Sequence, residues 1–110
     1  MAIATPKVLG QSNPVAATAT SLYTVPAATS TVGSSIVVCN RSSTATTFRI
    51  AIRPAGATLA NQHYIYYDTP LGGNDTFVAT IGITLATTDV VTVYATLATL
   101  SFNLFGQENT

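Results

Sequence analysis

Residues 61–77, NQHYIYYDTPLGGNDTF, contain the one histidine, three of the five tyrosines and two of the four acidic residues of a 110-residue chain. A nucleophile–base pair would have to use His63, with Cys39 or a serine as its partner. No G-x-S-x-G or comparable frame surrounds any of these residues. On a strand over Gln62 to Asp68, His63 would share a face with Ile65 and Tyr67, as a partly buried packing residue does. Cys39 ends the apolar run IVVC, where a free cysteine behaves as a small hydrophobe. As the only cysteine, it excludes an internal disulfide framework.

Asp68, Asp75 and Asp89 occur in YYDTP, GGNDTF and TTDVV, each at the edge of a strand-like run. At such edges a carboxylate accepts hydrogen bonds from the N–H groups of the turn, which accounts for all three without a reaction. Metal binding calls for a denser set of oxygen or histidine ligands. Glycosidase chemistry calls for two carboxylates facing each other across a cleft. Gly72-Gly73 leads into Asn-Asp and not into a helix, so it is no phosphate loop. The expectation is a protein that is not an enzyme and uses no cofactor or metal.

Five residues remain as candidates for a subunit or partner interface: Arg49, Arg53, Tyr64, Tyr66 and Tyr67. Arg49 and Arg53 project from one face of TFRIAIR and are two of the four basic residues. Strict alternation puts Tyr64 and Tyr66 on one face and Tyr67 on the other, so at least one tyrosine points away from the core. Tyrosine and arginine suit interfaces. Cross-strand aromatic packing inside one subunit fits the tyrosines equally well.

The elements that must position these residues read as strands throughout. Val, Ile, Thr and Tyr abound, and no segment has helical apolar spacing with a cap and a stop. The spacing predicts strands over Leu22–Val25, Val32–Asn40, Thr47–Arg53, Gln62–Asp68, Thr76–Thr84, Val90–Ala95 and Leu97–Phe105. Phe48, Ile50 and Ile52 alternate with Arg49, Ala51 and Arg53; Leu100, Phe102 and Leu104 alternate with Ser101, Asn103 and Phe105. Short strands between turn signals imply an all-β sandwich of seven to eight strands. An eight-stranded jelly roll and an immunoglobulin-like sandwich both satisfy that count, and the jelly-roll-like form is the expectation carried forward. The domain is expected over residues 22–110, preceded by an extended N-terminal arm over residues 1–21 that is rich in small residues and broken by Pro6, Gly10 and Pro14. Such an arm, with room for a short strand around Lys7 to Gly10, is either a disordered leader or a segment lying on a neighbouring subunit.

Charged residues make up 7% of the chain and the formal net charge is zero, against about a quarter charged in an ordinary domain. A nucleic-acid binder needs a basic stripe, which is absent. No run of about 18 apolar residues could span a membrane as a helix. MAIATPKVLG lacks the charged start and continuous apolar stretch of a signal peptide, so synthesis in a cytoplasm is expected. A weakly charged, hydroxyl-rich surface tends to associate, which suggests an oligomer or a component of a larger assembly.

The ordered elements LYTVPA, VVCNRS, FRIAIRPAG, HYIYYDTPL, NDTF, DVVTVYA and SFNLFG span roughly residues 22 to 108. Together they resemble a family of small virion proteins of tailed bacteriophages. The resemblance implies a β-sandwich that self-associates, often as a trimer, on the phage particle, made in the bacterial host cytoplasm. Its members include head cement or decoration proteins, which bind major capsid protein, and tail or fibre proteins, which meet the host surface. A cement protein is the expectation, and a tail-fibre or receptor-binding module is the alternative. One departure is that a glycine often follows TVPA in the family, whereas here the residue is Ala28, with which a type II turn needing positive φ is less comfortable.

Overall fold

The computed structural model describes residues 3–110. Among them the chain forms nine strands: β1 (Ala4–Ser12), β2 (Thr20–Thr24), β3 (Ser30–Asn40), β4 (Thr46–Arg53), β5 (Tyr64–Leu71), β6 (Thr76–Ala79), β7 (Ile83–Leu85), β8 (Val90–Ala95) and β9 (Leu100–Asn109). Two sheets result. The first runs β1-β9-β3-β6 with β7 also paired to β3, and the second runs β2-β8-β4-β5. Every pairing is antiparallel. The protein is an all-β sandwich, and most successive strands change sheet.

The core follows from the alternation. Phe48 and Ile50 of β4 and Val91, Val93 and Ala95 of β8 meet Ile36 and Val38 of β3 and Leu100, Phe102 and Leu104 of β9, all fully buried. Phe48 lies 6.2 Å edge-on from Phe102 and 5.0 Å from Phe77. Each such large side chain contributes roughly 1.5–3 kcal/mol by leaving water. The face opposite Phe48 and Ile50 carries Arg49, Ala51 and Arg53, as the alternation of β4 requires.

The described part of the N-terminal segment departs from the expected arm. From Ala4 it is an edge strand, paired with β9 from Ala4↔Asn109 to Ser12↔Phe102, and Leu9 is buried in the core. The sandwich therefore begins near residue 4 and not at 22; Met1 and Ala2 lie outside the described residues. Pro6 is tolerated because an edge strand leaves half its N–H groups unpaired. The Thr76–Thr84 strand divides into β6 and β7 at Thr80–Gly82, although the burial alternation continues through Ala79, Ile83 and Leu85. The break continues a line of register shifts across the first sheet, at Val8/Gly10 of β1 and Gly33/Ser35 of β3. At that line Gly106 lies so close to Val32 that a Cβ would fall onto the Val32 carbonyl. The last strand starts at Leu100, three residues later than the expected Leu97, and extends to Asn109.

Candidate functional site

Arg49 organises the outer face of the second sheet. Its Nε donates to Asp68 Oδ1 at 2.6 Å and its Nη2 to Asp68 Oδ2 at 3.3 Å. The guanidinium lies 4.2 Å from the Tyr67 ring centroid and 4.4 Å from that of Tyr94, its partner across β4 and β8. Each stacking contact at such a site contributes about 0.5–1 kcal/mol. The hydrogen bond to Asp68 raises the Arg49 pKa further above its ordinary value, so this charge is permanent.

A regular β5 could not build this cluster. Between the pairs Phe48↔Thr69 and Ile50↔Tyr66, Arg49 faces two residues, Tyr67 and Asp68; between Ile50↔Tyr66 and Ala51↔Tyr64, Ile65 is extra. Two bulges therefore turn the strand, and Asp68 adopts φ 47°, a left-handed conformation costing an L-residue roughly 1–2 kcal/mol. As a result Tyr64 and Tyr67 share the outer face, edge to face with ring centroids 4.9 Å apart. With Asn61 they line an open depression of about 450 Å³. Tyr66 turns inward, 5.1 Å from Phe77 and 6.4 Å from Phe48. The alternation had paired Tyr64 with Tyr66, and the bulges reverse that grouping.

Arg53 projects from the same face as Arg49 but does a separate job. It donates to Thr92 Oγ1 at 2.9 Å, to the Ala57 carbonyl at 3.0 Å and to Ser21 Oγ at 3.4 Å, tying the turn after β4 to β8 and β2. Thus Arg49, Tyr64 and Tyr67 come together, Tyr66 joins the core edge, and Arg53 fastens a turn.

His63 is not on a strand with Ile65 and Tyr67. It ends a short 3-10 turn, Asn61–His63, and is buried, with its Nδ1 accepting the Ala60 N–H at 3.0 Å, whereas Ile65 and Tyr67 are exposed. Asp75 accepts its neighbour's N–H at Thr76, and Asp89 accepts from Ala55 and Ala86, both at 2.8 Å, so these two hold turns as the sequence suggested. Asp68 instead binds Arg49. Gly73 is fixed by packing, because a Cβ there would strike the Ser43 carbonyl. The adjoining Asn40, fully buried, donates to the Thr44 and Gly72 carbonyls and joins the two turns.

A second polar group links the sheets at one end. The Tyr23 hydroxyl donates to Glu108 Oε2 at 2.5 Å and lies 2.8 Å from Thr31 Oγ1, while Lys7 Nζ is 3.1 Å from Glu108 Oε1. Burial and the neighbouring carboxylate push the Tyr23 phenol up to about 12. The Tyr23 hydrogen bond, helped by Lys7, holds Glu108 below the usual carboxylate range.

Tyr94, Asn61 and the Tyr23–Glu108 pair were missed as functional or structural centres by sequence reasoning. Tyr94 was accessible to it: in VVTVYA the alternation places Tyr94 and Thr92 opposite Val91 and Val93. Among the described residues no group of three or more His, Cys, Asp and Glu side chains could hold a metal ion, and no helix is long and apolar enough to cross a membrane. In comparison with known proteins, the chain matches no family model, no curated protein and no solved structure.

Proposed function

We propose that this protein is a structural virion component of a tailed bacteriophage, a cement or decoration protein that trimerises and stabilises the head by binding major capsid protein. The strand order supports a jelly roll, since with β6 and β7 taken as one interrupted strand the two sets of four interleave as two Greek keys do. The observation that carries the reading is the outer face of the first sheet. Val8, Val32 and Val78 are exposed there, at 47%, 39% and 59%, beside the partly buried Val37, Cys39 and Phe105. The polar neighbours Gln11, Ser35, Thr76, Ser101 and Asn103 are uncharged. The charged side chains lie elsewhere: Lys7 and Glu108 pair at the strand end, Arg41 bonds the Asn13 side chain and the Ala98 carbonyl, and the rest serve the second sheet or turns. A wide face without charge meets another copy, or a capsid lattice, with no like-charge repulsion and little desolvation cost. Repetition around a particle then multiplies modest contacts by avidity.

The tail-fibre reading is favoured by one feature, the tyrosine corner on the opposite sheet. A stained gel of purified particles separates the two. A head protein gives a heavy band near 11.4 kDa, present in isolated heads. A faint band confined to tails would overturn the cement assignment.

A further inference from the structure

We propose that the corner formed by Tyr64, Tyr67 and Asn61 is a binding site for a neutral saccharide. In a straight strand, tyrosines three positions apart face opposite sides. Here two bulges and a left-handed aspartate bring them to one side, edge to face at 4.9 Å. Burial does not account for the rearrangement, because Tyr67 remains 57% exposed. Bulges and backbone strain of this kind gather where a side chain is re-aimed for contact.

The surroundings define the ligand. Tyr67 is held from behind by the Arg49 guanidinium, itself fixed by Asp68 and Tyr94, so the ring is a stiff platform that loses little entropy on binding. A pyranose ring presents a flat array of C–H groups to such a platform, and Asn61 offers a donor and an acceptor to the hydroxyl groups around it. Arg49 and Asp68 cancel each other, which leaves no net charge to select a phosphate or carboxylate ligand. The depression, about 450 Å³ and open to solvent, accommodates one to two sugar residues at its mouth. With so small a contact, each site has a Kd on the order of 1 mM, and affinity for a cell-surface polysaccharide arises from many copies. The site lies on the sheet opposite the proposed assembly face, so both can be occupied together.

The test is saturation-transfer NMR on the full chain with methyl glycosides of glucose, galactose, rhamnose and N-acetylglucosamine, with a proline-rich peptide in a separate arm. The expected result is transfer to the pyranose C–H protons of at least one glycoside. Tyr67→Ala, checked for folding by its unfolding transition, weakens binding about tenfold or more. Tyr67→Phe, which keeps the ring, retains it. No transfer from any of the glycosides, transfer unaffected by Tyr67→Ala, or transfer from the peptide alone would each overturn the proposal. Self-association of the same samples is read separately by sedimentation, so failure here is distinct from failure of the assembly reading.

Discussion

Asp89 joins two loops to the end of β2. Its two oxygens accept N–H groups from separate loops, at Ala55 and Ala86, while its backbone carbonyl accepts from Val25. Asp89→Ala removes both bonds, and because water replaces part of them at these exposed donors, urea unfolding should show a loss of about 1–2 kcal/mol; an unchanged midpoint would contradict this role. Ala28 has φ 54°, which a glycine adopts without strain. Because the left-handed cost of roughly 1–2 kcal/mol is partly offset by glycine's greater entropy loss, Ala28→Gly should stabilise by about 0.5–1 kcal/mol. Tyr23 and Glu108 set the pH limits. Glu108 is depressed in the fold, so its contribution is present above the usual 4.5 and is lost as pH falls through its lowered value. Tyr23 is raised to about 12, so its contribution is intact below 10.0 and is lost as pH rises through about 12. Glu108→Gln should flatten the acid side of the stability profile, and Tyr23→Phe should remove the loss between those two alkaline values.

At the scale of elements, the strands that alternate cleanly were legible and those shaped by their neighbours were not. FRIAIR and SFNLF keep their expected inner faces, with Phe48, Ile50, Phe102 and Leu104 fully buried and Ile52 partly so, because the extra residues at the register shifts lie on the neighbouring strands. The tyrosine strand could not be read so simply. Its bulges arise from how β5 meets Arg49 and Ala51 of β4, a contact that lies outside its own eight residues. The first strand was obscured by Pro6 and Gly10, which look like breakers alone; on an edge the proline is harmless, and the glycine admits the Leu22 carbonyl, where a Cβ would collide. His63 was misplaced because the 3-10 turn before β5 has no signature beyond Asn61. The structure assigns β1 a place in the sandwich, and that is testable. Deleting residues 1–12 removes Leu9 from the core and uncovers the edge of β9. The truncated chain should lose its cooperative thermal transition or aggregate; a truncated chain that unfolds like the full one would restore the detachable arm.

Considered as a whole molecule, the sandwich has two unlike outer faces. One sheet presents valine, serine, threonine and amide side chains without charge, and the other carries the Arg49–Asp68 pair and the tyrosines. This asymmetry was only half visible in the sequence, where the scarcity of charge was plain but its absence from the outer face of the first sheet, with Lys7 and Glu108 paired at the strand end, required the topology. If the uncharged face mediates self-association, a charge placed on it must meet its own copy or an apolar neighbour. Val8→Lys combined with Val78→Lys changes two exposed positions and leaves the core untouched. Sedimentation velocity should show the wild-type chain as an oligomer and the double variant as a folded monomer.

Attachment of this face to a phage head can be measured by co-sedimentation with purified heads lacking the protein. The wild-type chain should pellet with the heads to a saturating stoichiometry, while the Val8→Lys, Val78→Lys variant stays in the supernatant. Equal binding by the variant, or no binding by the wild type, would contradict it.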